Sequence, residues 1–223
     1  MASRNPTALI VSIDGPGASG KSSTARMLAR LMGFLYVDTG AMYRTLAWHC
    51  LRRKADVNNP RSVIATRQHW HTALAVEDGE VRLLVDGHFP GEALRTPEVS
   101  AAASKVAVIA AVRNWMKLTQ RECRKFGNIV VEGRDIGTNV FPDTDFKFFL
   151  DAPIEERAKR RVAQGAGEDL RERDARDSQR RAAPLMIPLG AVLINNAGKT
   201  IEQTAREILA EIRRRTESRA AAE

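Results

Sequence analysis

One stretch narrows the possible folds more than any other: ALIVSIDGPGASGKSSTARML, residues 8–28. Residues 8–14 are mostly apolar or β-branched and predict a buried strand, while Met27, Leu28 and Leu31 recur at helical spacing. Between them lie Gly15, Pro16, Gly17, Ala18, Ser19 and Gly20, small or turn-forming, and then Lys21, Ser22 and Ser23 open the helix. The spacing Gly15-x-x-x-x-Gly20-Lys21-Ser22 matches the Walker A loop. Small residues let consecutive backbone N–H groups turn inward as a nest, and the helix N-terminus adds partial positive charge. Lys21 then reaches the β- and γ-phosphates of ATP, and the Ser22 hydroxyl is placed to ligate Mg²⁺. It is a loop for holding a polyphosphate.

The same residues also satisfy Gly15-x-Gly17-x-x-Gly20, the dinucleotide fingerprint, with Asp38 at the end of the next expected strand, FLYVD. A dinucleotide loop has no use for a Lys-Ser pair at the helix start, and motifs further along suit phosphoryl transfer. The Walker reading is therefore preferred, with an NAD-binding oxidoreductase as its rival.

A chain of 223 residues suits one α/β domain with an insertion. Cys50 and Cys123 fit no CxxC or Cys/His spacing, which points to a reducing cytoplasm. The N-terminus has no apolar signal-peptide core, and no apolar run is long enough to span a membrane. The net charge of +8 raises the possibility of a nucleic-acid-binding ATPase. The basic residues are scattered, however, and lack the aromatic partners that stack bases. Arginines for a phosphorylated small substrate explain the charge as well.

Along the chain, helical periodicity returns over residues 40–53, and a short helix is expected over 61–71. ALAVEDGEVRLLVDG reads as a hairpin turning at Asp78-Gly79. Helices are expected after Thr96-Pro97 and from Ala111, strands at 128–131 and 147–150, and a basic helix from Pro153. A charged helix over 169–182, a strand over 191–194 and a closing helix over 200–215 follow, with residues 217–223 as a frayed tail. Strands alternating with helices predict a mostly parallel sheet covered on both faces. The hairpin is the odd element, and residues 56–104 read as an inserted subdomain within one domain whose core is 8–55 and 105–216.

Three further constellations carry chemistry. Asp38-Thr39-Gly40-Ala41-Met42-Tyr43-Arg44 follows the second strand, with Thr39 expected to cap the next helix and Arg44 one turn on. Glu132-Gly133-Arg134-Asp135-Ile136-Gly137-Thr138 follows another strand, and its glycines permit close backbone approach. In Arg173-Asp174-Ala175-Arg176-Asp177-Ser178-Gln179-Arg180-Arg181, positions 173, 177 and 180 share one helical face. A run that charged is ordinarily solvated surface.

Taken together, the motifs resemble those of the bacterial cytidylate (CMP/dCMP) kinases, P-loop nucleoside monophosphate kinases. The resemblance rests on IDGPGASGKSS, DTGAMYR, LRTPEVSAAASKVA, VRNWMKLTQRE, VVEGRDIGTNVFPD, KFFLDAPIEERAKRR and ERDARDSQRRAAPL, and covers about residues 9–185. It implies a three-layer P-loop kinase fold with a small NMP-binding subdomain and a lid. It implies that Arg44, Arg134 and Arg180 clamp the CMP phosphate near Thr39, and that Ser104, Arg113 and Asp135 read cytosine. Arg173 and Asp177 match the family's sugar and phosphate contacts. Arg157, Arg160 and Arg161 fall in the lid over the ATP phosphates, so Lys21, Arg134, Arg160 and Arg180 would act on the transferring group. A monomer working on small-molecule nucleotides is expected, without obligatory nucleic acid. UMP or another small phosphorylated acceptor is the alternative substrate.

Two departures stand out. Only VAQGAGEDL separates the RAKRR helix from RERDARD, giving a short lid at 163–171. LINNAGK replaces a segment that in the family more often carries an aspartate and Ser/Thr residues, leaving the hold on adenine open.

Overall fold

The computed structural model describes residues 8–67, 70–163, 170–180 and 183–220, without the side chains at 172, 173, 176, 219 and 220. Most of the expected lid, including Gly165 and Gly167, and the side chain of Arg173 therefore lie outside the described residues. In chain order the strands are β1 (Ile10–Asp14), β2 (Leu35–Asp38), β3 (Thr72–Glu77), β4 (Glu80–Val85), β5 (Ile129–Gly133), β6 (Phe146–Asp151) and β7 (Val192–Asn195). They form one seven-stranded sheet in the order β3-β4-β2-β5-β1-β6-β7, parallel except for the β3–β4 hairpin. The helices are α1 (Lys21–Met32), α2 (Thr39–Arg52), α3 (Pro60–Arg67), α4 (Pro97–Val106), α5 (Ala110–Glu122), α6 (Ile154–Ala163), α7 (Leu170–Ser178) and α8 (Ile201–Ala220).

Both faces of the sheet are covered, and the strand pattern shows it. In β5, Ile129 and Val131 belong to one hydrophobic cluster and Val130 to the other. The first cluster joins Val37, Met42 and Leu46 to Val81, Leu83 and Met116, under α2, α4 and α5. The second joins Val11, Ile13 and Leu28 to Phe148, Leu150 and Ile208, under α1 and α8. Strand side chains alternate between faces, so continuous apolar runs such as IVV need two covers.

Register then sets the site. Asp14 at the end of β1 lies beside Gly133 of β5 and Phe149 of β6. Asp38 at the end of β2 lies beside Glu132. The carboxyl ends of four strands thus open on one edge, where parallel sheets of this kind bind ligands.

Several local expectations change. Thr39 does not cap α2; Asp38 does, its carboxylate accepting from Ala41 N at 2.7 Å. The charged carboxylate one residue earlier is a better acceptor for those free amides than a threonine hydroxyl. Thr39 becomes the first helical residue, and its hydroxyl donates to the Glu132 carbonyl at 2.7 Å. The charged helix α7 ends at Ser178, leaving Arg180 beyond it. The closing helix runs through residues 217–220, which were expected to fray. The hairpin turns at Asp78 and Gly79, both with positive φ, as a tight two-residue turn requires. Its strand β4 joins the main sheet beside β2, with Tyr36 N bonded to Gly79 O at 2.9 Å. The segment read as an inserted subdomain therefore shares the sheet and the first hydrophobic cluster.

Candidate active site

The loop between β1 and α1 is shaped by its own glycines. Gly15 has φ of 151°, and a Cβ there would sit 2.1 Å from the Leu150 carbonyl oxygen. Gly20, at φ 91°, caps α1 in the left-handed region without a side-chain bond. Lys21 is buried, and its ammonium donates to the Pro16 carbonyl at 2.6 Å and to Ser19 Oγ at 3.3 Å. The ammonium is thereby folded back over the loop it belongs to.

Beside the loop, the Ser22 hydroxyl donates to Glu132 Oε1 at 2.6 Å, and the Tyr36 hydroxyl reaches the same oxygen at 3.3 Å. Burial and the neighbouring Asp38 carboxylate push the Glu132 pKa up, against the pull of Lys21 and the Ser22 hydroxyl. Asp14, fully buried beneath, accepts from Ile136 N at 2.8 Å and Gly137 N at 2.7 Å. Burial lifts its pKa to about 6 despite those two amides. It ties the strand that carries the phosphate loop to the turn that carries Arg134 and Asp135.

Across the cavity the groups are side chains. Arg44 donates to Asp38 Oδ2 at 2.9 Å. Arg134 Nε donates to Asp177 Oδ2 at 2.9 Å, and Arg180 donates to the other Asp177 oxygen. Burial works against the Arg134 charge, but Asp177 and Glu132 outweigh it and its pKa is raised; at Arg180 burial prevails and the pKa is lowered. Arg113, only 5% exposed, donates to Asp135 Oδ2 at 2.6 Å and to the Ala107 carbonyl at 3.2 Å. Asn139 donates to the same Asp135 oxygen at 2.9 Å. Arg44, Arg113 and Arg180 each keep a buried Nε–H with no partner among the described residues. Buried donors of that kind are costly unless a ligand takes them up.

These groups line one cavity of about 280 Å³. It brings together the loop from Gly17 to Ser23 with Thr39, Arg44, Ser104, Arg113, Arg134, Asp135, Arg161, Asp177 and Arg180. Gly15 and Pro16 do not line it; they set the turn. Nor do Arg157 and Arg160, which the resemblance assigned to the lid. Arg157 is buried and donates to the Gly17 carbonyl at 3.2 Å and to Asp174 at 2.5 Å. Arg160 donates to the Ser19 carbonyl at 3.4 Å and to Asn196 Oδ1 at 3.2 Å. Both grip the loop by its carbonyls. Sequence reasoning assigned no role to Glu132, Tyr43, Asp174 or Asn196. For Glu132 the signal was present, as the opening residue of the EGRDIGT motif; Asn196 lies in the LINNAGK segment that departs from the family pattern.

A Walker loop at the carboxyl edge of a parallel sheet, facing a cavity lined by arginines, defines a P-loop nucleotide kinase. Comparison with known proteins narrows the class. The family model described as "Cytidylate kinase" matches residues 11–214. Cytidylate kinases from Caldanaerobacter subterraneus subsp. tengcongensis and Clostridioides difficile are each 38% identical, over 92% of this chain and 95% and 98% of their own lengths. The cytidylate kinase of Pseudomonas putida is also 38% identical, over 95% of this chain and 98% of its own. The solved structure of TT1252 from Thermus thermophilus is 21% identical, covers 92% of this chain and 98% of its own, and has a TM-score of 0.44, too remote to carry an argument. The chain belongs to the cytidylate kinase family. It is an enzyme, a phosphotransferase, and the dinucleotide and nucleic-acid readings are set aside. Among the described residues no helix is long and apolar enough to cross a membrane.

Proposed function

We propose that the chain transfers the γ-phosphoryl group of ATP to the 5′-phosphate of CMP and dCMP, yielding ADP with CDP or dCDP. The observation that carries the choice of base is the buried Arg113–Asp135 pair in the wall of the cavity that also holds Lys21. Arg113 and Asn139 both bond to Asp135 Oδ2, and among the described residues no donor reaches Oδ1. Cytosine presents an amino donor beside a ring-nitrogen acceptor. Oδ1 accepts from the amino group, and the unpartnered Arg113 Nε–H supplies a donor for the acceptor edge. Uracil presents the reverse pattern and leaves both unsatisfied.

The rest of the site handles charge. Phosphoryl transfer passes through a loose transition state spread over oxygens, so positioning and cationic stabilisation do most of the catalysis. Loop amides and Lys21 hold the donor phosphates. Arg44, Arg134 and Arg180 hold the acceptor phosphate, kept in place by Asp38 and Asp177. Arginine's planar fork suits that task. Ser22 Oγ and Glu132 are hard oxygen donors 2.6 Å apart, a set that fits Mg²⁺. Bound there with ATP, the ion would offset charge on the β- and γ-oxygens. Two free, buried cysteines with nucleotide substrates support a cytoplasmic setting.

The test is transfer of label from γ-³²P ATP to CMP, dCMP, UMP and AMP, with the products separated. Label is expected in CDP and dCDP. Label in UDP or ADP at comparable rates would overturn the assignment.

A further inference from the structure

Asn196 lies just beyond β7, in the segment that departs from the family pattern, and it is 5% exposed. Four of its hydrogen bonds hold it between the phosphate loop, α6 and the end of β6. Its amide nitrogen Nδ2 donates to the Ser19 carbonyl at 2.8 Å, and its Oδ1 accepts from Arg160 NH1 at 3.2 Å. Its backbone N–H donates to the Asp151 carbonyl at 3.1 Å, and its own carbonyl accepts from Arg160 NH2 at 3.4 Å. Arg160 donates to the same Ser19 carbonyl. The residue after β7 and helix α6 thus converge on a single peptide group of the phosphate loop, while the end of β6 holds Asn196 itself.

The consequence follows from peptide geometry. In a planar trans peptide the carbonyl and the following N–H point in opposite directions. Holding the Ser19 carbonyl towards Asn196 therefore turns the Gly20 N–H away from Asn196. Gly20 lines the cavity and Asn196 does not, so that N–H faces the cavity. The same construction recurs two residues earlier. Arg157, fixed by Asp174, holds the Gly17 carbonyl at 3.2 Å and turns the Ala18 N–H the opposite way. Gly20 itself leaves room for the arrangement: a Cβ there would lie 3.0 Å from Asn196 Nδ2.

We infer that Asn196 is a positioning residue that, from outside the phosphate loop, fixes the Ser19–Gly20 peptide so that its amide meets the donor phosphates. The inference rests on the reading of the loop as the ATP site. Arg160 then supports the loop through its carbonyl side. A preset amide costs no reorganisation when the phosphates arrive or when charge shifts during transfer.

The test is Asn196→Asp, which keeps the size and the acceptor for Arg160 but sets an oxygen against the Ser19 carbonyl. By titration calorimetry, the dissociation constant for ATP is expected to rise about tenfold, the effect of one lost buried hydrogen bond. Tripolyphosphate, which has no base, should weaken by the same factor, and CMP should bind as to the wild type. Asn196→Ser, with a shorter hydroxyl donor, should fall between the two and replaces the aspartate variant if that fails to fold. Unchanged ATP binding in both variants, or equal losses for ATP and CMP, would overturn the inference. Weakened ATP binding with unchanged tripolyphosphate binding would also overturn it, placing Asn196 on the base instead. A wild-type chain that binds no ATP would remove the donor reading itself, and the inference with it.

Discussion

On the proposed function, phosphate at the donor end of the cavity would be met by the backbone of residues 17–20 and the buried Lys21; at the acceptor end it would be met by guanidinium groups held by carboxylates. The two ends are solved by different means. The donor loop makes its site from peptide groups, so its side chains matter mainly by being small. Gly15 has no space for a Cβ beside the Leu150 carbonyl, and within the loop and the start of its helix Lys21 brings the charge. The acceptor end depends on linked ion pairs, Arg44 to Asp38 and Arg134 through Asp177 to Arg180, in which each member holds the next. On this reading, triphosphate binding would be built into the fold, whereas the choice of acceptor would lie in a few side chains.

Removing the lysine of the donor end should have the largest effect. Lys21→Ala is expected to lower turnover on the order of 10²-fold or more, since a preorganised charge at the transferring group is lost. Circular dichroism should show the fold intact, because the ammonium lies in the cavity and donates to Pro16 O and Ser19 Oγ of its own loop. Turnover near that of the wild type would mean that the backbone alone serves the donor.

The same contrast explains what was legible in the sequence. The phosphate loop occupies eight consecutive residues, and its chemistry follows from their spacing. The acceptor site is drawn from Thr39 and Arg44, Ser104 and Arg113, Arg134 and Asp135, and Asp177 and Arg180, segments with no common period. Only the family resemblance joined them. It placed Arg157 and Arg160 over the phosphates, whereas both hold loop carbonyls, since a motif fixes position along the chain and not the direction of a long side chain. Asn196 meets Ser19 from 177 residues away, and nothing local in NNAGK foretells that contact. The parallel sheet was legible from its apolar runs, but the pairing of the hairpin with β2 was not. That pairing rests on few backbone bonds between segments whose own patterns do not name each other.

Asp14 joins the two ends and offers a smaller, differently signed test. Its carboxyl titrates at about 6 in the folded protein against 3.8 ordinarily, chiefly through burial. The folded state therefore binds the proton more tightly than the unfolded state. The associated stability is fully present below pH 3.8 and is lost as the pH rises through 6, by about 3 kcal/mol. Asn at this position does not titrate. In urea unfolding, the stability of Asp14→Asn relative to the wild type should rise by about that amount between pH 4 and pH 7. A flat difference across that range would mean that Asp14 stays ionised on its two amides throughout.

A still smaller effect is expected at the acceptor end. Arg113→Met removes the donor to the base but leaves the phosphate clamp, so it should narrow the preference for CMP over UMP by about tenfold. Its KM for ATP should not move. An ATP effect equal to the CMP effect would mean that Arg113 supports the whole cavity.

The most direct measurement is the ratio of kcat/KM for CMP to that for UMP in the unaltered protein, by coupled ADP release. If the buried Arg113–Asp135 pair reads the base, the ratio should be at least ~10² in favour of CMP. A ratio near one would contradict the account, because a site that satisfies cytosine with those two groups leaves uracil unsatisfied at both.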